Sequence, residues 1–297
     1  MAKRLTGQFY DLNGRQHRVD IFDNDYSGSA SDIDVKYCQL NYDSSNNDDP
    51  TSAIIGSRAD IGLKVDFEDT VLPTFIDDYS NGQEDRFFVE IYNMASSRVI
   101  WRGIMTPDFA GETDTAPLYE FKVSAVCGLA TLKKIPYHDG TAIYEGIERL
   151  LKHITTALGK IAHTDVFWDS SAVFIKTAVD KWEATMSSGA ADDSLYQAAV
   201  DHSAFYDFKT SGNVDKDVLS CYDVIEATLI AMKCRIMMNE GAWWIEDIPY
   251  RTASPYTTRH YTKTGTYITN ATETGAIVLN QSRSGAKLAT MSCDFLP

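Results

Sequence analysis

The sequence has little that would support a disulfide framework, a nucleic-acid surface or a membrane span. Five cysteines are scattered along 297 residues without a C-x-x-C pair, so we expect reduced thiols made in a cytoplasm and packed as small hydrophobic residues. Acidic residues outnumber basic ones by 42 to 27, a net charge of −15, and nucleic acid is therefore a poor candidate partner. No window approaches the roughly 18 apolar residues of a membrane span, and the start "MAKRLTGQFYDLNG" predicts no secretory signal.

Recognisable catalytic and cofactor motifs are also missing. The sequence has no G-x-S-x-G elbow, no G-x-x-x-x-G-K-[ST] loop and no G-x-G-x-x-G after a strand, and its histidines lack zinc-site spacing. Carboxylate pairs such as Glu145 with Glu148, or Asp192 with Asp193, fall where exposed helix faces or loops are predicted. We therefore predict that the protein is not an enzyme, with no catalytic residue, cofactor or metal.

One acidic stretch, "DNDYSGSASDID", offers carboxylates at alternate positions: Asp23, Asp25, Asp32 and Asp34. Such carboxylates could bind Ca²⁺, but the stretch lacks the ligand order of an EF-hand loop, including its bidentate Glu. A solvated acidic turn is the favoured interpretation.

Residues 1–136 are predicted to form an N-terminal antiparallel β domain. Short alternating segments follow one another with Ser, Asn, Asp and Gly clusters between them, beginning with a hairpin around Asn13 and Gly14. Regular short strands of this kind are typical of a sandwich or barrel.

Residues 137–250 are predicted to be an α+β middle region. Apolar residues at helical spacing predict a helix near 141–158, with Thr141 as N-cap and Gly159 just beyond its end. A second amphipathic helix near 217–233 leads into a hairpin near 234–248. The Thr-rich residues 251–297 are predicted to be a C-terminal β segment, so the fold class is mainly β with an α+β insert: antiparallel sandwich or barrel domains joined by two amphipathic helices and a helix-hairpin unit.

The hairpin carries two adjacent tryptophans in "NEGAWWIED". Successive strand residues point to opposite faces, so we expect one of Trp243 and Trp244 to lie in the core and the other to be free for a partner. Coplanar aromatics on one face, which a carbohydrate platform prefers, cannot come from adjacent strand positions. We predict interface roles for Trp101, Phe109, Trp243 and Trp244.

Several segments together resemble the N-terminal part of tail proteins from tailed phages and prophages of Bacteroidetes. They are "VDIFDNDYSGSASDIDVKYCQLNY", "AIIGSRADIGL", "RFFVEIYNMASSRVIWRGIMTPD" and "YEFKVSAVCGLATLKKIPY", with their "DYSG", "GS", "W-x-G-x-x-x-PD" and "A-x-x-GL-x-x-LK" motifs in the same order. The later "SCYDVIEATLIAMKCRIMMNEGAWWIED" is similar to the helix-hairpin unit of that family. Cys127 stands where the family has Asp, which indicates a structural position.

The resemblance implies a structural virion protein of the tail tip, assembled in the bacterial cytoplasm. It implies a ring of three or six copies, acting as baseplate hub between the tail tube and the host-recognition components. A distal tail protein of the same tip is the alternative, and a carbohydrate-binding or adhesion module is a further one, which the 16 Tyr and 5 Trp favour. A hydrolase is the least supported class.

Overall fold

The fold comes from a computed structural model of the chain. It describes residues 1–11, 13–44, 52–65, 70–82, 85–107, 111–113, 119–140, 142–181, 193–206, 218–247, 255–273 and 290–291. The architecture is mainly β with several helices, which confirms the predicted fold class.

A large N-terminal sheet contains ten strands. They are β1 (Ala2–Tyr10), β2 (Gln16–Asp23), β3 (Ser31–Asp32), β4 (Asp34–Ser44), β5 (Ile55–Val65), β6 (Phe87–Asn93), β7 (Arg98–Met105), β8 (Gly111–Thr113), β9 (Tyr119–Val126) and β17 (Thr290–Met291). Their order across the sheet is β17-β4-β5-β9-β7-β6-β2-β1-β3, with β8 beside β9.

The N-terminal sheet curls until its two ends approach each other. Strand β3 pairs with β1, and a single residue, Ile33, separates β3 from β4. The Ile33 amide donates to the Thr6 carbonyl at 2.8 Å, so β1 lies next to the chain segment that leads into β4. The predicted hairpin is present, with Tyr10 opposite Gln16.

A helix that the sequence analysis did not predict lies against this sheet. Helix α1 spans Val71–Ser80 and buries Leu72, Phe75, Ile76 and Tyr79. These positions follow the i, i+3, i+4, i+7 spacing of an amphipathic helix, so the signal was present within a region interpreted as strands. Pro73 is tolerated because it lies in the first turn, where its missing N–H would have no helical partner.

A second sheet combines strands from the middle and C-terminal parts of the chain. Its order is β13-β14-β11-β15-β16, and its members are β11 (Ile175–Ala178), β13 (Arg235–Asn239), β14 (Ala242–Glu246), β15 (Tyr256–Tyr261) and β16 (Tyr267–Glu273). β11 runs parallel to β14, and the other neighbours are antiparallel. The described strands on either side of the boundary predicted at residue 250 therefore share one sheet.

The remaining elements pack between and beside the sheets. They are a 3₁₀ helix at Leu129–Lys134, strand β10 (Ile147–Arg149), helices α2 (Leu150–Leu158), α3 (Thr164–Phe167) and α4 (Ser194–Gln197), strand β12 (Ala199–Asp201), a 3₁₀ helix at His202–Phe205, and helix α5 (Cys221–Met232). β10 pairs with β12, and α2 packs on α5. Buried side chains from both sheets and these helices form one continuous hydrophobic core.

The two predicted helices are present with different starts. α2 begins at Leu150 with Arg149 as its N-cap, so residues 147–149 form a strand, and Gly159 follows the last residue as expected. The predicted N-cap Thr141 lies outside the described residues. α5 begins at Cys221, where the Ser220 hydroxyl caps the Asp223 amide at 3.1 Å.

Candidate functional site: the junction between the sheets

Trp101 lies in the middle of β7 with its side chain completely buried. Its Nε1 donates to the Ser57 hydroxyl at 2.8 Å, and the Ser57 amide donates to Cys127 Sγ at 3.3 Å. Three segments that carry the family resemblance therefore meet near this indole: the "GS" start of β5, the "W-x-G" motif of β7 and Cys127, which directly follows β9.

The indole of Trp101 also explains the glycine two residues later. Residues i and i+2 of a strand share a face, and the ring lies over Gly103, where a Cβ would overlap it and would approach the Val126 carbonyl oxygen to 2.6 Å. The "DYSG" motif shows the same relation, because the Tyr26 ring covers Gly28 while its hydroxyl donates to the Ser29 carbonyl at 2.8 Å.

Trp243 and Trp244 are both buried, each about 1% exposed. The prediction that one of them is free for a partner was wrong, because every residue of β14 is buried and both faces of the strand are therefore covered. Trp243 lies opposite Met238 and Ile175, and the Trp244 ring has the Lys176 ammonium 4.7 Å from its centroid. Trp243 Nε1 has no acceptor among the described residues.

The turn before these tryptophans joins the second sheet to the first. Glu240 and Gly241 both have positive φ, 50° and 68°, as a two-residue type I′ hairpin requires. The Gly241 carbonyl accepts two hydrogen bonds, from Arg102 Nη1 of β7 and from Trp168 Nε1, each at 3.1 Å. A Cβ at Gly241 would lie 2.9 Å from the Val99 carbonyl oxygen, so the turn approaches β7 closely.

Arg102 is the central side chain of this junction. Its Nε donates to Glu90 Oε1 on β6 at 2.7 Å, and its guanidinium lies 4.7 Å from the ring centroid of Trp168. The arginine thus contacts its own sheet, the turn of the second sheet and the Trp168 ring at once. Sequence reasoning missed both Arg102 and Trp168, since neither belongs to a local motif that signals a distant partner.

Of the four predicted interface residues, the structure therefore places three in the core. Trp101 and the Trp243–Trp244 pair are enclosed by the chain's own side chains, so substitutions there act first on its stability. Phe109 lies outside the described residues.

Two carboxylates that the sequence suggested were solvated, Asp23 and Asp193, are buried. Asp23 has no exposed surface and pairs with Arg4 at 2.6 Å and Arg86 at 2.9 Å, whereas Asp25 and Asp34 are exposed. Burial opposes ionisation of Asp23, but hydrogen bonds from Arg86, the Asp25 amide and Arg4 together hold its pKa below the ordinary value. The acidic stretch is thus partly an internal ion-pair network.

Asp193 is also completely buried, which corrects its interpretation as an exposed carboxylate. It accepts from Tyr261 Oη at 2.9 Å, the Leu195 amide at 2.9 Å and Thr177 Oγ1. Burial raises its pKa despite these hydrogen bonds. Nearby in the same sheet, Glu246 bonds Arg235 at 2.6 Å, and burial lowers the pKa of that arginine to about 10.

The cysteines of the described residues, Cys38, Cys127, Cys221 and Cys234, are buried free thiols. Within the described ranges, no group of three or more His, Cys, Asp or Glu side chains is placed to hold a metal ion. No described helix is long and apolar enough to cross a membrane.

No protein-family model and no curated protein matches this sequence. Among solved structures, the chain is similar to a tail protein from Neisseria meningitidis MC58, with a TM-score of 0.41 and 6% identity over 80% of this chain and 52% of that one. The 43 kDa tail protein of prophage MuSo2 from Shewanella oneidensis gives a TM-score of 0.39 and 7% identity, over 80% of this chain and 54% of that one.

A third similar structure is an E. coli component of the type VI secretion system, described as structurally similar to two bacteriophage T4 tail proteins. Its TM-score is 0.34 and its identity 10%, over 76% of this chain and 48% of that one. The chain thus spans about half the length of the solved structures it resembles.

Proposed function

We propose that the protein is a structural component of a bacteriophage tail tip. In this role it forms a ring as tail hub and connects the tail tube to the host-recognition components, without catalytic activity. The support comes first from the ordered run of segments that resemble tail proteins across most of the chain.

One structural observation carries the proposal furthest: the residues of those motifs contact one another. The Trp101 indole bonds Ser57, whose amide bonds Cys127, and the ring covers Gly103. The motifs that resemble tail proteins thus contain residues that pack together to build the N-terminal sheet. A similarity of this kind is expected between proteins that share a structural role.

The junction between the two sheets adds a mechanical argument for a connecting role. Arg102 and Trp168 both donate to the Gly241 carbonyl, and one core runs through both sheets. A connector between tube and host-recognition parts has to transmit force between its own halves, and a single continuous core serves this purpose.

The adhesion alternative receives less support from the tryptophans than the sequence indicated. All four tryptophans within the described residues, Trp101, Trp168, Trp243 and Trp244, are buried, so none offers a stacking platform for a sugar. The distal tail protein remains the alternative within the same tail tip, and copy number distinguishes the two.

The proposal is tested on particles of the phage or prophage that encodes the chain. Antibody raised against the purified protein should label one end of the tail in electron micrographs, and particles made without its gene should lack intact tails that the intact gene restores. A mass corresponding to three copies in the isolated tip supports the hub, and six copies support the distal tail protein. Intact, infectious tails made without the gene would refute the tail-tip role.

A further inference from the structure

The sheet edges within the described residues differ in how they are protected. The N-terminal sheet ends in β3 and β17, which are two residues long. At one edge of the second sheet, β13 is covered by a neighbouring segment, because the Ile236 amide donates to the Ala53 carbonyl at 2.8 Å. The other edge is β16, which is seven residues long and pairs only with β15 among the described strands.

Strand β16 is exposed on both faces. Ile268, Thr269, Asn270 and Thr272 are exposed, and its other residues are half-buried. Tyr261 pairs with Tyr267 and His260 with Thr269, so Ile268 is an extra residue, and regular pairing covers Thr269–Glu273. Beyond the bulge, the regularly paired part of β16 is five residues long, and no described strand pairs with its outer side.

Apart from the bulge at Ile268, this edge has few of the devices that usually prevent strand addition. Natural edge strands carry Lys, Pro or inward charges, contain bulges, or are very short. Residues 264–272, "TGTYITNAT", contain neither a charged residue nor a proline, although the chain as a whole carries a net charge of −15. The edge thus carries a single charged side chain, Glu273 at its end, on an acidic molecule.

These features favour a second copy of this chain as the partner. Two molecules of the same high charge repel, so a contact between them is least costly where charged side chains are few. One kind of edge also suffices for a twofold contact, in which each strand pairs with its own counterpart. In an antiparallel pair centred on Ala271, Glu273 of each copy lies opposite Thr269 of the other, so the two carboxylates do not face each other.

We propose that β16 pairs antiparallel with β16 of a second copy through its outer edge, joining the two second sheets into one. Backbone hydrogen bonds supply the affinity, as in other strand additions, and the exposed Thr and Asn side chains line the pair. The inference stands apart from the tail-tip role, since it concerns the free protein whatever structure it enters.

The test compares two lysine variants of the full chain. Asn270→Lys with Thr272→Lys places like charges opposite each other across the pair, which destabilises it. The control, Ser96→Lys with Ala130→Lys, makes the same change in charge at two exposed positions outside β16. Circular dichroism first establishes that both variants fold.

Sedimentation equilibrium over a wide concentration range then measures self-association. We expect the wild type and the control to rise from the monomer mass of 33.1 kDa towards twice that value, and the edge variant to associate at least about tenfold more weakly. Amide exchange at Thr269–Glu273 should slow with rising concentration in the wild type and in the control, but not in the edge variant. A wild type that stays monomeric, or an edge variant that associates like the control, overturns the proposal. If the antibody does not label tails but the protein still dimerises through β16, the tail-tip role is refuted and the strand pairing is supported.

Discussion

At the residue scale, aromatic rings replace missing side chains over glycines of the N-terminal sheet. Trp101 covers Gly103 on its own strand, and Tyr37 of β4 covers Gly62, its cross-strand partner on β5. Glycine weakens a strand because it has no side chain to pack, and a ring lying over the backbone restores buried apolar contact. Glycine is therefore required at these two positions, because the neighbouring ring occupies the space that a side chain would need.

Gly103→Ala should destabilise the protein by about 1–3 kcal/mol, since the new methyl group overlaps the Trp101 ring in a packed core. The matched control is Gly56→Ala, whose Cβ would have the Asp43 carbonyl oxygen as its nearest neighbour at 3.6 Å. That variant should be neutral or slightly more stable, because alanine restricts the unfolded chain. Urea unfolding followed by far-UV circular dichroism measures both, and equal losses in the two variants would contradict the steric explanation.

At the element scale, helix α2 is held by a histidine that the sequence analysis considered only as a metal ligand. His153 is completely buried. Its Nδ1 lies 2.9 Å from Tyr137 Oη, and its Nε2 lies 3.2 Å from the Val200 carbonyl oxygen. The carbonyl can only accept, so Nε2 carries the proton and Nδ1 accepts from the tyrosine. The His202 ring lies edge-on at a centroid distance of 4.5 Å.

This arrangement predicts that acid destabilises the fold. Burial, together with the neighbouring His202, lowers the pKa of His153 below its ordinary value of 6.5. The unfolded chain therefore binds a proton at a higher pH than the native state, and stability falls as the pH decreases from 6.5 towards the lowered native pKa. In urea unfolding at pH 7.5 and pH 5.0, His153→Gln should show a smaller loss between the two pH values than the wild type.

A non-titrating change on the same helix separates this effect from simple weakening of α2. Ile154→Val removes one buried methylene group and should cost about 1 kcal/mol at both pH values, with the wild-type difference between them retained. If His153→Gln keeps that difference as well, the histidine is not its source.

Local sequence patterns predicted many of these elements, but they could not predict features that depend on distant segments of the chain. The Asn13–Gly14 hairpin, helix α5 and the β13–β14 hairpin follow from turn chemistry and periodicity over short distances. The start of α2 was placed too early because Ile147 fits the helical spacing, yet it lies in β10 with 75% of its surface exposed. The parallel pairing of β11 with β14 could not be read locally, because it joins segments nearly 70 residues apart.

The burial of both Trp243 and Trp244 also depends on distant segments of the chain. Alternation correctly assigns the two side chains to opposite faces of β14, but it says nothing about how many faces the fold covers. Burial of both faces depends on elements distant in sequence, and the contacts of Arg102 and Trp168 with Gly241 are equally non-local. The sequence therefore indicates where the candidate site lies, but it does not indicate that the side chains of the site are buried.

At the scale of the whole molecule, the Arg102 junction should contribute strongly to stability. Arg102→Met removes the bonds to Glu90 and Gly241 and leaves a mostly buried carboxylate without this partner. We expect a loss of about 2–3 kcal/mol in the free energy of unfolding, measured by urea titration with tryptophan fluorescence and circular dichroism as separate probes.

The double variant Arg102→Met with Glu90→Met provides the control. Replacing both partners of a buried pair costs less than removing one, because no charge is left uncompensated. The double variant should therefore recover part of the lost stability. If the double variant is instead less stable than Arg102→Met by the full cost of a second core substitution, loss of the Glu90–Arg102 pair is not what destabilises the single variant.

The long-range bond between Arg102 and Gly241 also bears on the order of events during synthesis. The long strands of the N-terminal sheet are complete by Val126, whereas the second sheet begins at Ile175 and receives its last strand at Glu273. The first sheet can therefore fold on the ribosome while Arg102 still awaits its carbonyl partner, since chains fold from the N-terminus as they emerge. Until the second sheet arrives, apolar side chains of the first sheet that belong to the shared core are left without part of their cover. Transiently exposed apolar surface of this kind makes a nascent intermediate prone to aggregation.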